Sequence, residues 1–121
     1  MKKTKNKFKL NKLKADKLFS LLIRRFGRCQ LQGLDKITCN GNLQCMHIIT
    51  RGNFKLRWDT ANALCGCAGH HIYYTHHAWE WQELIREQFP DRYEYLNGIR
   101  NEMWDRDIQS VLQGLEGVAS L

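Results

Sequence analysis

Residues 43–71 read LQCMHIITRGNFKLRWDTANALCGCAGHH, and the fold turns on how this stretch is divided. The apolar run from Leu43 to Thr50 predicts a strand, and a second extended piece is expected from Phe54 to Trp58, with Arg51, Gly52 and Asn53 as the turn between them. Asp59 and Thr60 are acceptable helix caps, so Asn62 to Cys67 is expected to lead into a short helix beginning near Gly69 and His70. The central unit then reads as strand, turn, strand, helix.

Working outward, residues 27–42 are loop-like, broken by Gly33 and Gly41 and carrying the turn formers Asp35, Asn40 and Asn42. Before them, Ala15, Leu18, Phe19, Leu22, Ile23 and Phe26 recur at three- and four-residue spacing, which predicts an amphipathic helix from Leu10 to about Phe26, ended by Gly27. Lys12, Lys14, Lys17, Arg24 and Arg25 occupy much of its other face. Met1 to Lys9 are lysine-dominated and without periodicity, which predicts a basic disordered arm. Downstream, a helix is expected from Trp79 to Phe89, limited by Pro90, and another from Asp91 toward Leu112, with Gly114 and Gly117 fraying its end. Trp58, Trp79, Trp81 and Trp104 all lie in apolar patterns and read as core, as does one of Tyr73 and Tyr74.

The 121 residues fit one domain, and with 43% hydrophobic and 26% charged residues the composition is that of a globular protein rather than a disordered or fibrous one. No apolar run approaches a membrane span and the basic N-terminus lacks the apolar stretch of a signal peptide, so a soluble protein of the cytoplasm is expected, with no membrane partner. Five cysteines are an odd number, better read there as reduced thiols or metal ligands than as disulfides. Charge is unevenly spread. Residues 1–28 carry eleven lysines and arginines against one acid, Asp16, for a net of +10. Residues 29–78 carry four against two for +2, and residues 79–121 four against nine for −5. A basic first segment followed by a mildly basic centre suits a polyanion such as DNA, from which the acidic end should face away.

Chemistry concentrates in the centre. His70, His71, His76 and His77 fall within eight residues, and His47 lies on the first expected strand. Cys67 and His70 form a CxxH pair of the kind that presents two ligands to a tetrahedral zinc ion, and Cys29 and Cys39 flank a glycine-containing loop that can supply the other two. Of Cys65 and Cys67 only one is expected to ligate, on the reading that their spacing separates the two thiols. Cys65 could stand in for Cys67, and otherwise Cys45 and Cys65 read as small buried hydrophobes.

The quoted stretch, with His47, Asn62 and His71 in that order, resembles the HNH branch of the ββα-metal (His-Me finger) endonucleases. The preceding CQLQGLDKITCNG and the following IYYTHHAWEW resemble phage- and prophage-type members, and more distantly the NinG/Rap recombination nucleases. The likeness covers about Cys29 to Trp81. It implies that His47 is the general base, Asn62 the central asparagine of the motif and His71 a ligand of a catalytic divalent metal, Mg²⁺ or Mn²⁺ with Zn²⁺ as a further option. It also implies that Cys29, Cys39, Cys67 and His70 hold a separate structural zinc.

Those roles make physical sense. A neutral imidazole can take a proton from water at cellular pH, and a divalent cation can stabilise the charge that builds on a scissile phosphate. Asn62, both donor and acceptor, can tie the loop after the strands to the helix and fix the distance from base to metal. Many members place an acidic or histidine ligand just before the base, where this chain has Met46, a thioether unsuited to a hard cation. His76 or His77 could supply that ligand, and His77 is favoured because it directly precedes AWEW. Arg51 and Arg57, at the expected turn, and Lys12, Arg24 and Arg25, on the basic helix, are candidates for gripping DNA phosphates. Arg57 could instead pair with Asp59.

The expectation is therefore a small α+β protein: a zinc-stapled ββα-metal core over residues 29–81, an N-terminal basic helix, and a C-terminal helical pair over residues 82–115, with residues 10–121 as one domain. The function it implies is metal-dependent endonucleolytic hydrolysis of DNA, in a phage or the host cytoplasm. The alternatives are a junction-selective recombination resolvase, which would need two copies and hence a homodimer, and a zinc-stapled DNA-binding module without catalysis.

Overall fold

The computed structural model describes residues 2–121, with side chains from Lys5 onward. Helix α1 (Lys2–Arg24) leads by a loop to strand β1 (Leu43–His47), the short helix α2 (Phe54–Arg57), a 3₁₀ turn (Thr60–Asn62) and strand β2 (Ala63–Cys67). Helices α3 (Ala68–Thr75), α4 (Ala78–Gln88), α5 (Pro90–Ile99) and α6 (Ile108–Ala119) follow. The α+β class stands: among the described residues there are six α-helices and one antiparallel pair of strands. No helix among them is long and apolar enough to cross a membrane.

Four segments depart from expectation. Residues 54–58 form helix and turn rather than a second strand, because Asn53 caps them: its side-chain oxygen accepts the Leu56 N–H at 3.2 Å. The second strand is Ala63–Cys67, paired with β1 in the register Leu43↔Cys67 to His47↔Ala63. Every residue of β2 is buried, so its pattern is continuous rather than alternating and resembles the lead-in to a helix. The expected helix from Asp91 to Leu112 is two helices, making three at the C-terminus rather than a pair. Asp107 starts the second by accepting the Ser110 N–H at 2.8 Å, and Trp104, in the break, stacks on Phe54 with centroids 5.3 Å apart. Finally, α1 begins at Lys2 rather than Leu10, so Lys2 to Lys9, expected as a disordered arm, continue the helix that good helix formers propagate. Met1 lies outside the described residues.

The sheet is covered on both faces, and its side chains divide between two cores. Met46 and Leu64 enter a core with Leu31, Ile48, Leu56, Tyr74, Trp81, Ile85 and Leu96. Ala63, with Cys45 against it, enters the other, built by Ala15 and Phe19 of α1, Trp58, and Val111, Leu112 and Leu115 of α6. Trp58, Trp81 and Tyr74 are thus core, and Trp104 is half-buried, but Trp79 is 78% exposed and its reading as core is wrong. It belongs to the outer face of α4, whose packed face holds Trp81, Leu84 and Ile85.

Candidate functional site

Two arrangements of polar side chains stand on this frame. The first joins Cys29, Cys39, Cys67 and His70, whose ligating atoms all lie within 4.8 Å of one another. Cys67 ends β2 and caps α3, its Sγ accepting the His70 N–H at 3.4 Å. Cys29 is brought in because the chain after α1 runs along β2: Gln30 N–H bonds to the Cys65 carbonyl at 2.8 Å, and the Gln30 side chain returns a bond to Cys65 N–H at 2.8 Å. Cys39 arrives on the loop that closes over the start of α3, where Ala68 N–H bonds to Asn42 O at 2.9 Å and Gly69 N–H to Asn40 O at 3.1 Å. Gly41, at φ +79°, makes that approach possible, since a Cβ there would lie 2.7 Å from the Ala68 Cβ.

The cluster has the dimensions of a tetrahedral metal site. The three sulfurs stand 3.7, 3.7 and 3.1 Å from His70 Nδ1, and Zn–S and Zn–N bonds of ordinary length meeting at the tetrahedral angle put S and N about 3.6 Å apart. Its chemistry agrees. Burial raises the Cys67 thiol, but the hydrogen bond from the His70 backbone N–H and the contact with its ring bring it down to about 6, whereas burial and then bonding to Cys29 and Cys67 push Cys39 up to about 12. Three thiols this close cannot all ionise without a cation between them, and these four residues can hold a metal ion such as zinc. On the far side of the ring, His70 Nε2 donates to Asp35 Oδ1 at 2.9 Å, and the Tyr74 hydroxyl donates to Asp35 Oδ2 at 2.6 Å. The carboxylate fixes which ring nitrogen faces the sulfurs.

Cys65 stays out of the cluster, though not because the spacing separates it from Cys67: two residues apart on a strand, they share a face. Position decides. Cys67 sits at the strand end over α3, while Cys65 lies mid-strand opposite Cys45, fully buried.

The second arrangement is a cavity of about 410 Å³ lined by Asp16, Phe19 and Ser20 of α1, Cys45 and His47 of β1, Arg51, and His71 of α3. It brings together three of the expected site residues, His47, Arg51 and His71. His47 Nε2 lies 2.9 Å from the Arg57 carbonyl, and because a carbonyl only accepts, Nε2 carries the hydrogen and Nδ1 keeps a lone pair. Desolvation holds this imidazole below its ordinary pKa, only partly offset by that bond. His71 Nδ1 bonds in the same way to the Gln44 side-chain oxygen, leaving Nε2 with its lone pair, and burial also lowers its pKa. Arg51 stands at the rim with its side chain 61% exposed and its Nη1 3.8 Å from Asp16 Oδ2.

Asn62 is fully buried and does not line this cavity. Its side chain accepts from Ile49 N–H at 2.7 Å and donates to the carbonyls of Ile49 at 3.0 Å and Leu56 at 3.1 Å. The residues it ties are the exit of β1 and helix α2, not the helix that carries His71.

Other expected site residues lie elsewhere. Arg57 is held by Asp16 rather than Asp59, through Nε–Oδ1 and Nη2–Oδ2 contacts of 3.0 and 2.7 Å, and is not a free phosphate grip. Met46 is buried in the core against Gly66, so the position before His47 contributes nothing to the cavity. His77 does not line the cavity either. Its ring stacks on Tyr73 at 3.9 Å and its Nδ1 donates to the Tyr73 carbonyl at 2.6 Å, because it sits at the turn into α4. His76, at the end of α3, is exposed. Of the basic residues of α1, Arg24 bonds to Ser20 Oγ at 3.1 Å and so stands near the cavity mouth. Arg25 donates to the Ala119 carbonyl at 3.0 Å, at the end of α6, and Lys12 lies over the rings of Phe8 and Phe54.

Sequence reasoning missed four residues. Asp16 carried one signal, as the single acid among eleven basic residues. Asp35 was legible only as a turn former, Gln44 and Phe19 as parts of a strand and an apolar stripe. No family model, curated protein or solved structure matches this chain.

Proposed function

We propose that the chain is a metal-dependent endonuclease of the HNH type that hydrolyses DNA phosphodiester bonds. In this reading the Cys29, Cys39, Cys67, His70 cluster is a structural zinc site, His47 is the general base and His71 anchors a catalytic divalent cation. The observation that carries it is the setting of His47. Its Nε2 is committed to the Arg57 carbonyl, its remaining lone pair is on Nδ1, and the residue lines a cavity shared with His71 and Arg51. A neutral imidazole so held can take the proton of an attacking water. Arg51, mostly exposed, can donate two hydrogen bonds to a phosphate, and Arg24 extends the positive charge along α1.

His71 suits a divalent cation as one protein ligand, because Mg²⁺ and Mn²⁺ sites commonly keep waters and take further oxygens from substrate phosphates. Such a cation would stabilise charge on the scissile phosphate and the departing oxygen. Plasmid nicking assayed with Mg²⁺, with Mn²⁺ and with no divalent metal tests the reading: cleavage should require the metal.

One observation favours a second reading, a zinc-stapled DNA-binding module without catalysis. Met46 faces the core and His77 faces Tyr73, so His71 is the one imidazole besides His47 that lines the cavity. DNA binding without metal-dependent nicking in purified protein would establish that reading instead.

A further inference from the structure

We propose that Asp16 is a positioning residue that holds His47 in its working tautomer through Arg57; this rests on the reading of His47 as a general base. Asp16 sits on α1, outside the segment whose motif names the base. Its Oδ1 accepts Arg57 Nε at 3.0 Å and Trp58 Nε1 at 2.9 Å, and its Oδ2 accepts Arg57 Nη2 at 2.7 Å. The Arg57 Nη1 goes to the Arg51 carbonyl at 2.9 Å. Two consecutive side chains, Arg57 and Trp58, are therefore clamped to one carboxylate. The peptide group between them carries the carbonyl that receives His47 Nε2.

That carbonyl needs holding. It closes a helix of only four residues, and α2 has no length to fix its own last turn. The pair that fixes it is mostly withdrawn from solvent, with side chains 17% and 11% exposed, so the two-point contact is weakly screened. Burial raises the Asp16 carboxyl, but the bonds from Arg57 and Trp58 outweigh it and keep the group ionised. Both oxygens are occupied, so Asp16 is placed to hold Arg57 rather than to take a proton or a cation itself. The same helix also sets the plane of the ring: Phe19, one turn on, stacks on His47 with centroids 5.5 Å apart and an interplanar angle of 30°. Released from the Arg57 carbonyl, the imidazole could place its hydrogen on Nδ1 and present the wrong nitrogen to water.

The test uses the whole 121-residue chain loaded with zinc. The ¹⁵N spectrum of its histidine side chains reports the His47 tautomer directly, and plasmid turnover is measured in parallel. The parent should show His47 as the Nε2–H form. Asp16→Asn, which keeps an acceptor for Trp58 but loses the negative charge that pairs with Arg57, should give a mixture of tautomers. Turnover at saturating DNA should fall about 10- to 100-fold with zinc content unchanged, as for a misplaced rather than a missing group. Arg57→Lys leaves a cation beside Asp16 but loses the two-point grip, and should do the same; it carries the test if Asp16→Asn does not fold. His47 remaining wholly Nε2–H in the folded variants would overturn the proposal. A parent with no turnover, yet with the tautomer shifting in the variants, would uphold Asp16 as the positioning residue and overturn the nuclease reading alone.

Discussion

Asp35 accepts the Nε2 hydrogen of His70 at 2.9 Å on one oxygen and the Tyr74 hydroxyl at 2.6 Å on the other. A loop acid is thereby locked between a candidate metal ligand and the core residue one turn further along α3. The contact orients the imidazole before any metal arrives, and it ties the loop that carries Cys39 to the helix that carries His70.

Metal and fold should stand or fall together at this cluster. Two of the four ligands come from the two ends of the loop between α1 and β1 and the others from the end of β2 and the start of α3, so stripping the metal frees these segments from one another. Elemental analysis is expected to find one zinc per chain, and a chelator should lower the thermal midpoint and the helical circular dichroism. Metal-free protein with an unchanged melt would contradict the structural zinc.

Asp35→Asn should weaken that zinc without abolishing it. The amide can still accept from His70 but no longer carries charge, and losses of such supports cost metal affinity about 10- to 100-fold. Competition against a chromophoric chelator measures the change directly. An affinity equal to the parent's would mean that the carboxylate serves the loop alone.

Asn62→Ala is expected to destabilise the fold by about 2–4 kcal/mol in urea unfolding, because it leaves buried backbone groups of Ile49 and Leu56 without their partner. The variant should lose stability before it loses any property of His71, which Asn62 does not touch. A loss below about 1 kcal/mol would indicate that water replaces the amide.

What was readable in the sequence follows from what each residue's neighbours are. The CxxH pair and the candidate ligands Cys29 and Cys39 are present as read, and of the apolar stripe Ala15, Leu18, Phe19, Leu22 and Ile23 pack in the core while Phe26, beyond the end of α1, is 50% exposed. The second strand was not readable, because β2 is buried on both faces and loses the alternation that marks a half-exposed strand. Helix α2 hid behind an aromatic, strand-like composition, and only its Asn53 cap pointed the other way. Arg57 was misplaced for a different reason: its partner, Asp16, is 41 residues away, and no local rule connects them.

The pH dependence should follow the lowered pKa of His47. A base works when unprotonated, so kcat/KM should climb as pH rises through a value below the ordinary 6.5 and be level by pH 7. Stability follows the same sign. The unfolded chain takes up the proton first, so the contribution of a neutral buried His47 is present above 6.5 and is lost as pH falls from there through the folded value. A rate still rising between pH 7 and 8 would point to a different base.

The most direct measurement is metal-titrated nicking by His47→Ala and His71→Ala, each compared with the parent after contaminating nucleases are removed. His47→Ala should keep its zinc, fold and DNA affinity while losing about 100- to 10,000-fold in turnover, and added Mg²⁺ or Mn²⁺ should not restore it, since what is missing is a proton acceptor. His71→Ala should need more metal and be partly rescued by excess, since what is missing is an anchor for the cation. Parental rates in both variants would contradict the account and leave the non-catalytic DNA-binding module in its place.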